Sequence, residues 1–478
     1  MTVLPPEAAP APVPALDAPR PVRRRRVPVW VAVLAASLPM FMATLDNLVM
    51  TTALPVVRAD LGSTVGQLSW FLNAYTLVFA TFMLPAATLG DRLGRRRVMV
   101  AGVSVFTLAS VASALSTSSG ALIAARAVQG LGAAAIMPLS LTLLAAAVPA
   151  GRRAVAIGVW GGVSGLGVAL GPVVGGAVVE GVSWQAIFWL NVPVAAVALP
   201  LLLVAVPESR GLWQRLDLPG TAMLGGAVFL GIWGLVHGND DGWSDPRVLM
   251  PLVAAAALVP AYVSWARGRA DAVLPLRLFS SRGFSVANVI GLFFTIGMFG
   301  TVFLLSQYLQ VVQGYSPLEA GLRTLPWTAA PMVVAPLAGM LSARTGLRSL
   351  LLVGLVLQTA SLVWFAYLTE AGSGYPSFVV PLAMAGVGMG LTFAPSATAV
   401  LEGLPEDDFA IASSANSTIR EFGVALGVAL LTAVFLGNGG QISPVGYDGA
   451  IGPALLTGAA AVAVAVVAAL FAPGRTRR

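Results

Sequence analysis

The chain has 478 residues, of which 57% are hydrophobic and 10% charged, and its net charge is +7. Soluble globular proteins carry roughly 25% charged residues, so this composition excludes an ordinary soluble domain and predicts a protein embedded in lipid. The chain contains arginine but no lysine, which excludes a lysine-dependent phosphate-binding loop and Schiff-base chemistry. It has no cysteine and one histidine, His237, which we interpret as a solvated loop residue; disulfides and bound metals are not expected.

Residues 1–27 are rich in proline and alanine and end in the arginine run 23–26. They predict a disordered cytoplasmic tail rather than a signal peptide, because no apolar region with a cleavage site precedes the first span. Fourteen apolar segments follow, each long enough to cross a bilayer as a helix. Their predicted ranges are 29–52, 66–89, 98–116, 120–148, 154–179, 185–206, 218–236, 248–266, 284–308, 319–342, 350–369, 376–401, 410–436 and 450–472.

Arginine is concentrated in alternate loops between these segments. If the N-terminus is inside, the inner loops and the C-terminal tail contain Arg92, Arg95, Arg96, Arg97, Arg152, Arg153, Arg210, Arg215, Arg267, Arg269, Arg277, Arg282, Arg344, Arg348, Arg475, Arg477 and Arg478. The outer loops contain little beyond Arg58, Arg247 and Arg323. The positive-inside rule therefore predicts that both termini are cytoplasmic. Because the arginines are spread over short loops and a tail, they do not indicate nucleic-acid binding.

Two sequence echoes indicate an internal duplication. Arg-x-Gly-x-Arg occurs at Arg92–Arg96 and at Arg344–Arg348, and Gly-Val-Ala-Leu-Gly occurs at Gly167–Gly171 and at Gly423–Gly427. Both pairs are separated by nearly the same number of residues, so segments 1–6 align with segments 9–14 and segments 7 and 8 are an insertion. Parallel duplication of six-helix units, with the working site between them, is typical of transporters.

Six stretches are similar to motifs of one transport family. They are LDxTxVNxALP at Leu45–Pro55, with departures at Asn47–Thr52; GxLaDRxGRR at Ala87–Arg96, with Ala87 for the first glycine; RxxQGxG at Arg126–Gly132; GxxxGPxxGG at Gly167–Gly176; WRWIFxxNxP at Trp184–Pro193, with Gln185 for arginine; and YLQxxxGYSPxxAG at Tyr308–Gly321. The chain resembles the fourteen-helix drug:proton antiporters of the major facilitator superfamily. The resemblance covers nearly the whole membrane region and implies two six-helix bundles that work by alternating access.

Asp46 is the first candidate for proton coupling. It lies within an apolar span, where an ionised carboxylate is costly and by default marks function. Arg126 lies at similar depth in segment 4, which neighbours segment 1 in the family's fold, so we expect an ion pair or a shared hydrogen-bond network. A movement that changes their separation would switch the proton affinity of Asp46. The alternative is a static pair that sets the register of two helices.

Arg420 and Glu421 form a second charged site near the middle of segment 13. Adjacent helical residues point about 100° apart, so we do not expect them to pair, and one should face a central cavity. Glu421 is therefore a candidate for proton coupling or for binding a cationic substrate. The alternative is that both residues bond to polar groups of neighbouring helices, including Asn416.

Aromatic, amide and charged side chains within the spans are predicted to line a pocket for an amphipathic compound. The candidates are Phe41, Trp70, Asn73, Tyr75, Gln307, Tyr308, Asn416 and Arg420. Packing against lipid or against other helices is the alternative for the aromatic ones.

Two motifs are predicted to control the conformational cycle. Their residues are Asp91, Arg92, Gly94 and Arg95 after segment 2, and Gly167, Gly171, Pro172 and Gly175 in segment 5. By resemblance, the Gly171-Pro172 step implies a bend that limits leak and favours export, with ordinary glycine packing as the alternative. The loop charges are predicted to latch the cytoplasmic face, or else to act only as a charge anchor, and Gly94 to permit a tight turn with positive φ.

These features predict an all-α integral membrane protein with a major facilitator fold. Its parts are a tail at 1–27, a six-helix bundle at 28–206, two inserted helices with a linker at 207–283, a second bundle at 284–473 and a tail at 474–478. The predicted function is proton-coupled export of amphipathic small molecules, drugs or antibiotics, across a prokaryotic inner membrane. The expected partners are lipid, a small-molecule substrate and the proton, for a monomer without a cofactor, metal or catalytic residue. The alternatives are an importer or facilitator of the same fold, and, less supported, a membrane-embedded enzyme or a receptor.

Overall fold

The computed structural model describes residues 28–211, 215–269, 271–370, 372–405 and 408–472, which form helices and turns but no strand. The predicted tails at 1–27 and 474–478 lie outside the described residues. Fourteen membrane helices, some of them interrupted, correspond in these ranges to the fourteen predicted segments. They are α1 (Val29–Leu61), α2 (Val65–Leu93), α3 (Arg95–Ala114), α4 (Ser119–Ala147), α5 (Ala150–Gly181), α6 (Ala186–Trp189 and Asn191–Ala205), α7 (Leu218–Asp241), α8 (Pro246–Ala266), α9 (Arg282–Val311), α10 (Pro317–Arg323, Leu325–Thr328 and Ala330–Thr345), α11 (Leu347–Glu370), α12 (Val379–Leu401), α13 (Phe409–Gly437) and α14 (Ile451–Ala469).

Length and composition make these helices membrane-spanning. Within the described residues, thirteen helices are long and apolar enough to cross a membrane. Helix α5 contains a shorter apolar stretch at Gly165–Gly181. A 20-residue helix covers about 30 Å, the thickness of the hydrocarbon core. The protein therefore crosses the membrane many times, as the composition predicts.

The largest difference from the predicted bounds is the length of α1, which the sequence predicts to end at residue 52. Pro55, Arg58 and Asp60 follow that point and read as a helix end. Pro55 instead lies inside the helix, which continues to Leu61 and ends where Gly62 adopts a left-handed conformation with φ of +62°. The extra turns carry the helix to the far end of the bundle, where its contacts with the second half lie.

The packing confirms the internal duplication. α1 packs on α5 and α6 as α9 packs on α13 and α14, and α2 packs on α4 as α10 packs on α12. Gly94 and Gly346, which follow α2 and α10, both have positive φ, +116° and +82°. The fold is therefore two six-helix bundles with α7 and α8 inserted between them. The residue limits assigned to these parts stay predictions.

The two bundles meet along two equivalent pairs of helices, α2 with α13 and α5 with α10. The inserted hairpin lies beside the first of these seams, because α7 packs on α2 and α13 while α8 packs mainly on α7. Trp70 of α2 contacts Trp233 of α7 with ring centroids 6.3 Å apart, and Asn239 donates a 2.6 Å hydrogen bond to the Ala433 carbonyl of α13. His237 lies within α7, where its ring stacks on that of Trp233 with centroids 4.2 Å apart. The predicted loop position of His237 is therefore wrong.

Candidate functional site

A cavity of about 1440 Å³ lies between the two bundles. Residues of α1, α2, α4 and α5 form one side of its wall, and residues of α9, α10, α12 and α13 form the other. The cavity reaches one end of the bundle, where Arg95, Arg215 and Arg277 line its mouth. We call this end the arginine-rich face.

At the opposite end the cavity is closed by a seal, formed by Thr51, Thr52, Ser306 and Gln310 together with close contacts between α5 and α10. Pro55 has no N–H, so the Thr51 carbonyl one turn earlier lacks its intrahelical donor. Ser306 Oγ of α9 donates to that carbonyl at 3.2 Å, and Gln310 Nε2 donates to the Thr52 carbonyl at 2.9 Å. Pro55 thus leaves the Thr51 carbonyl free to accept a hydrogen bond from the other bundle.

The predicted motif glycines of α5 also lie at helix contacts. A Cβ at Gly171 would lie 2.6 Å from the Cβ of Leu48 in α1, and one at Gly175 would lie 2.9 Å from the Val49 carbonyl oxygen. The next glycine, Gly176, touches the backbone of α10 in the other bundle. A larger residue at these positions would push apart helices that form the seal. The helix continues through Pro172 without interruption.

The predicted ion pair between Asp46 and Arg126 is present and fully enclosed. Arg126 Nη1 lies 2.5 Å from Asp46 Oδ2, and the side chains are 0% and 2% exposed. Arg126 Nε also donates to the Phe71 carbonyl at 3.1 Å, while its Nη2 is buried without a partner among the described residues. A buried pair is stable only when additional hydrogen bonds satisfy its remaining atoms.

Two neutral side chains, Gln129 and Asn191, supply most of those bonds. Gln129 Nε2 and Asn191 Nδ2 donate to Asp46 Oδ1 at 2.8 and 2.7 Å, and Gln129 Oε1 accepts from Arg126 at 2.7 Å. Asn191 also donates to Ser110 Oγ at 2.8 Å. Asp46 thus accepts three hydrogen bonds, two from α4 and one from α6.

The pair lies behind the cavity wall rather than in it. Tyr75 lines the cavity, and its ring centroid lies 4.4 Å from the guanidinium carbon of Arg126, so the ring separates the cation from the cavity. Asn47, the residue after Asp46, lines the cavity while Asp46 does not. A proton passing between Asp46 and the cavity therefore requires a movement of these side chains.

The second predicted charged site lies on the cavity wall. Both Arg420 and Glu421 line the cavity, whereas we expected only one of them to do so. They form no ion pair with each other, as the 100° spacing predicts. Asn416 is turned away from the cavity and donates to Asn288 Oδ1 at 3.1 Å.

The other predicted pocket residues are distributed differently from the expectation. Of the eight candidates, Tyr75 and Arg420 line the cavity. Trp70 packs on the inserted helix, and Tyr308 packs against Phe378 and Tyr447. Phe41, Asn73, Gln307 and Asn416 are also absent from the described wall. A role in binding for these six residues stays a prediction.

The predicted cytoplasmic motif forms a network at the arginine-rich face. Asp91 pairs with Arg95 at 2.6 Å, and Gly94 has the predicted positive φ of +116°. Glu208, in the loop after α6, accepts from the backbone N–H groups of Arg96 and Arg97 at 2.9 and 3.2 Å. A carboxylate at the N-terminus of α3 is favoured by the helix dipole, so this loop holds the start of α3.

A second ion pair at this face joins the linker before α9 to the segment before α13. Arg277 donates to both carboxylate oxygens of Asp408, at 2.5 and 2.8 Å. These hydrogen bonds raise the pKa of Arg277, so the guanidinium stays charged at every physiological pH. Both residues line the cavity mouth, and Asp408 immediately precedes α13.

Several site residues were not singled out from the sequence. Gln129 and Asn191 were named only as positions within sequence motifs. A neutral amide within a span is less costly than a charge, so it is a weaker indication of a functional site. Ser110 carries no motif at all. Glu208 lies in a loop, and only the fold brings it to Arg96.

A membrane-spanning duplicated helical bundle, with a cavity between its halves that is sealed at one end, defines a membrane transport protein. The chain belongs to the Major Facilitator Superfamily, which it matches over residues 31–428. The sequence-based recognition of this superfamily is thereby confirmed.

Relatives at similar length carry names that describe export or resistance. The chain is 33% identical to the tetracenomycin C resistance and export protein of Streptomyces glaucescens, over 87% of this chain and 77% of the relative. It is 34% identical to the cephamycin export protein CmcT of Amycolatopsis lactamdurans, over 90% of each chain. A crystal structure of an auto-inhibited peptide transporter of the POT family has a TM-score of 0.64 over 93% of this chain and 98% of that one. At 15% identity this last likeness supports the fold alone.

Proposed function

We propose that this protein is a proton-coupled antiporter that exports amphipathic small molecules, antibiotics among them, by alternating access. The observation that carries the proposal is the buried Asp46–Arg126 pair beside a cavity that is sealed at one end. Relatives named for export and for antibiotic resistance support the direction of transport. No cofactor is needed, since the proton gradient supplies the energy.

We further propose that the protein is a monomer in a prokaryotic inner membrane with both termini in the cytoplasm. The arginine excess at one face supports this orientation through the positive-inside rule. The cavity then faces the cytoplasm, and the seal between α1 and α9 faces outward. In this conformation a substrate enters from the cytoplasm or from the inner leaflet.

Helix α1 connects the proton site to the seal in this mechanism. Asp46 lies five residues before Thr51, whose carbonyl accepts from Ser306. Protonation removes the charge that holds Arg126, Gln129 and Asn191 on Asp46, so α1 is free to shift against α4 and α6. The same shift changes the α1 contacts with α9. Proton binding and opening of the seal are therefore coupled through one rigid helix.

Inside-out membrane vesicles test the proposal. Vesicles that contain the protein should accumulate an aromatic probe, tested with cationic ethidium and anionic fluorescein, when their interior is acidified, and lose it when nigericin collapses the gradient. Asp46→Asn should abolish gradient-driven accumulation. Asp241→Asn, at the exposed end of α7, is the matched control and should leave it unchanged.

Two results would contradict the proposal. If Asp46→Asn accumulates probe at the wild-type rate under the gradient, Asp46 has no part in coupling. If the probe instead leaves the inside-out vesicles as protons enter or leave, the protein is an importer of the same fold.

A further inference from the structure

The charged residues that line the cavity fall into two groups by depth. The first group lies at helix ends or in loops at the arginine-rich face and consists of Asp91, Arg95, Arg215, Asp217, Asp271, Arg277 and Asp408. Arg420 and Glu421 lie about eleven residues into α13, roughly 16 Å from its start at 1.5 Å per residue. Among the described residues of the wall, these two are the charges at mid-membrane depth.

The Arg420 guanidinium makes no direct ion-pair contact within the described protein, although the charge of the neighbouring Glu421 acts on it. It takes part in none of the ion pairs there, and its Nε is buried without a hydrogen-bond acceptor. Glu421 is next in sequence but lies about 100° around the helix, and its Oε2 is also without a partner. An arginine within a membrane span normally pairs with a carboxylate or with carbonyl groups, as Arg126 does.

The surroundings of Arg420 hold its side chain in place. A Cβ at Gly291 of α9 would lie 3.0 Å from Arg420 Cγ, so the glycine makes room for the aliphatic stem. The ring of Phe393 in α12 lies 5.2 Å from the guanidinium carbon. Thr295 Oγ1 of α9 donates to the Arg420 carbonyl at 2.9 Å, which ties this turn of α13 to α9. With α9 and α12 behind it, the guanidinium is held at the cavity wall.

We propose that Arg420 is the anchor for an acidic substrate, an aromatic compound with a carboxylate or an ionised phenol group. The proposal rests on the proposed function and names its substrate class. A guanidinium and a carboxylate form two parallel, charge-assisted hydrogen bonds. When the cavity closes and water leaves, an unpaired arginine at this depth is costly. An acidic substrate neutralises it, so the cavity closes more readily on such a substrate than on a neutral one.

The remaining wall suits an aromatic skeleton of variable shape. Methionines line the cavity at Met137, Met298 and Met389, and Trp160 and Trp327 add aromatic surface. Methionine side chains are flexible and polarisable, and they make favourable contacts with aromatic rings. The guanidinium of Arg420 selects the acidic group, and the adaptable apolar wall accepts ring systems of different shape.

Equilibrium binding to the full-length protein in detergent tests the proposal without any gradient. The ligands are anthraquinone-2-carboxylate, its neutral carboxamide, and the cationic 2-(aminomethyl)anthraquinone, with tryptophan fluorescence quenching as the readout. The carboxylate should bind at least tenfold more tightly than the carboxamide. Arg420→Gln should weaken carboxylate binding tenfold or more and change carboxamide binding less than twofold. Arg420→Lys should lie between, and Arg247→Gln, at an exposed arginine outside the cavity at the start of α8, should behave as wild type.

Each other outcome overturns the assignment. Equal affinities for the carboxylate and the carboxamide, tightest binding of the cationic ligand, or no binding of the carboxylate would show that Arg420 is not an anion anchor. If Arg420→Gln weakens the carboxylate and the carboxamide equally, its role is structural. Because no gradient is used, a failure of proton-driven export in vesicles remains a separate result.

Discussion

Replacing Arg126 with glutamine should leave the Asp46 carboxylate enclosed without its cation. Removing one partner of a buried ion pair costs about 3–5 kcal/mol. Gln129 and Asn191 still donate to Asp46 at 2.8 and 2.7 Å, so we expect the lower part of that range. Since the unfolding entropy grows with chain length, 1 kcal/mol shifts Tm by about 1–2 °C for a chain of this size. The variant should therefore unfold about 3–6 °C below wild type.

The double variant Asp46→Asn/Arg126→Gln separates pairing from packing. Both side chains are then neutral amides of similar size, and neither leaves an isolated charge. We expect the double variant to be more stable than Arg126→Gln alone, with a coupling energy of at least about 2 kcal/mol in a double-mutant cycle. Thermal unfolding in detergent, followed by tryptophan fluorescence, measures all four proteins.

A surface pair provides the control for this cycle. Arg323 and Glu319 approach to 3.8 Å, and the Glu319 side chain is 50% exposed. Glu319→Gln keeps the capping hydrogen bond at the start of α10, so it should change the stability by less than about 1 kcal/mol. If the losses of Asp46→Asn and Arg126→Gln simply add in the double variant, the two residues are not energetically coupled and the reasoning from burial is wrong.

Three further changes test the seal and the inserted hairpin. Gln310→Leu removes a bond between the bundles and should raise the maleimide labelling rate of an Ala53→Cys reporter severalfold; the chain has no native cysteine to interfere. Gly171→Ala should also raise that rate, because its Cβ meets α1, whereas Gly165→Ala, whose Cβ meets no described atom within 4 Å, should not. Asn239→Ala removes the hydrogen bond to α13 and should therefore lower the stability by about 1 kcal/mol. The Tm in detergent measures this loss.

Unchanged labelling for Gln310→Leu would mean that the bond to α1 does not hold the seal closed. Equal effects of the two glycine substitutions would trace the change to helix propensity rather than to the contact with α1. An Asn239→Ala protein as stable as wild type would show that the hairpin is held by ring packing alone.

The fold and the buried pair could be predicted from the sequence because both depend on the free-energy cost of placing polar or charged groups in lipid. This cost is large, and single residues reveal it. A carboxylate at Asp46 and a guanidinium at Arg126 stand out in apolar spans, and helix direction places them at one depth. The alternation of arginine between loops fixed the number of crossings. The length of α1 was missed because Pro55 and Arg58 carry the local signs of a helix end, while contacts with the second bundle favour its continuation.

The pocket was harder to predict, because it depends on which way each helix face points. Trp70 and Tyr75 are five residues apart in α2, yet the first packs on α7 and the second lines the cavity. Neither composition nor motif separates them, since both are aromatic and both lie within the span. Similarly, Asn416 and Arg420 are one turn apart in α13, but a hydrogen bond to Asn288 holds the first against α9.

The use of main-chain carbonyls in the seal restricts how mutation can alter it. No substitution at Thr51 or Thr52 removes the oxygen atoms that Ser306 and Gln310 contact. Substitutions can alter these hydrogen bonds at the two donors on α9, or at Pro55. A residue with an N–H in place of Pro55 would give the Thr51 carbonyl an intrahelical donor. Heritable changes in gating should therefore accumulate on α9 and at that proline, while the neighbouring threonines tolerate exchange.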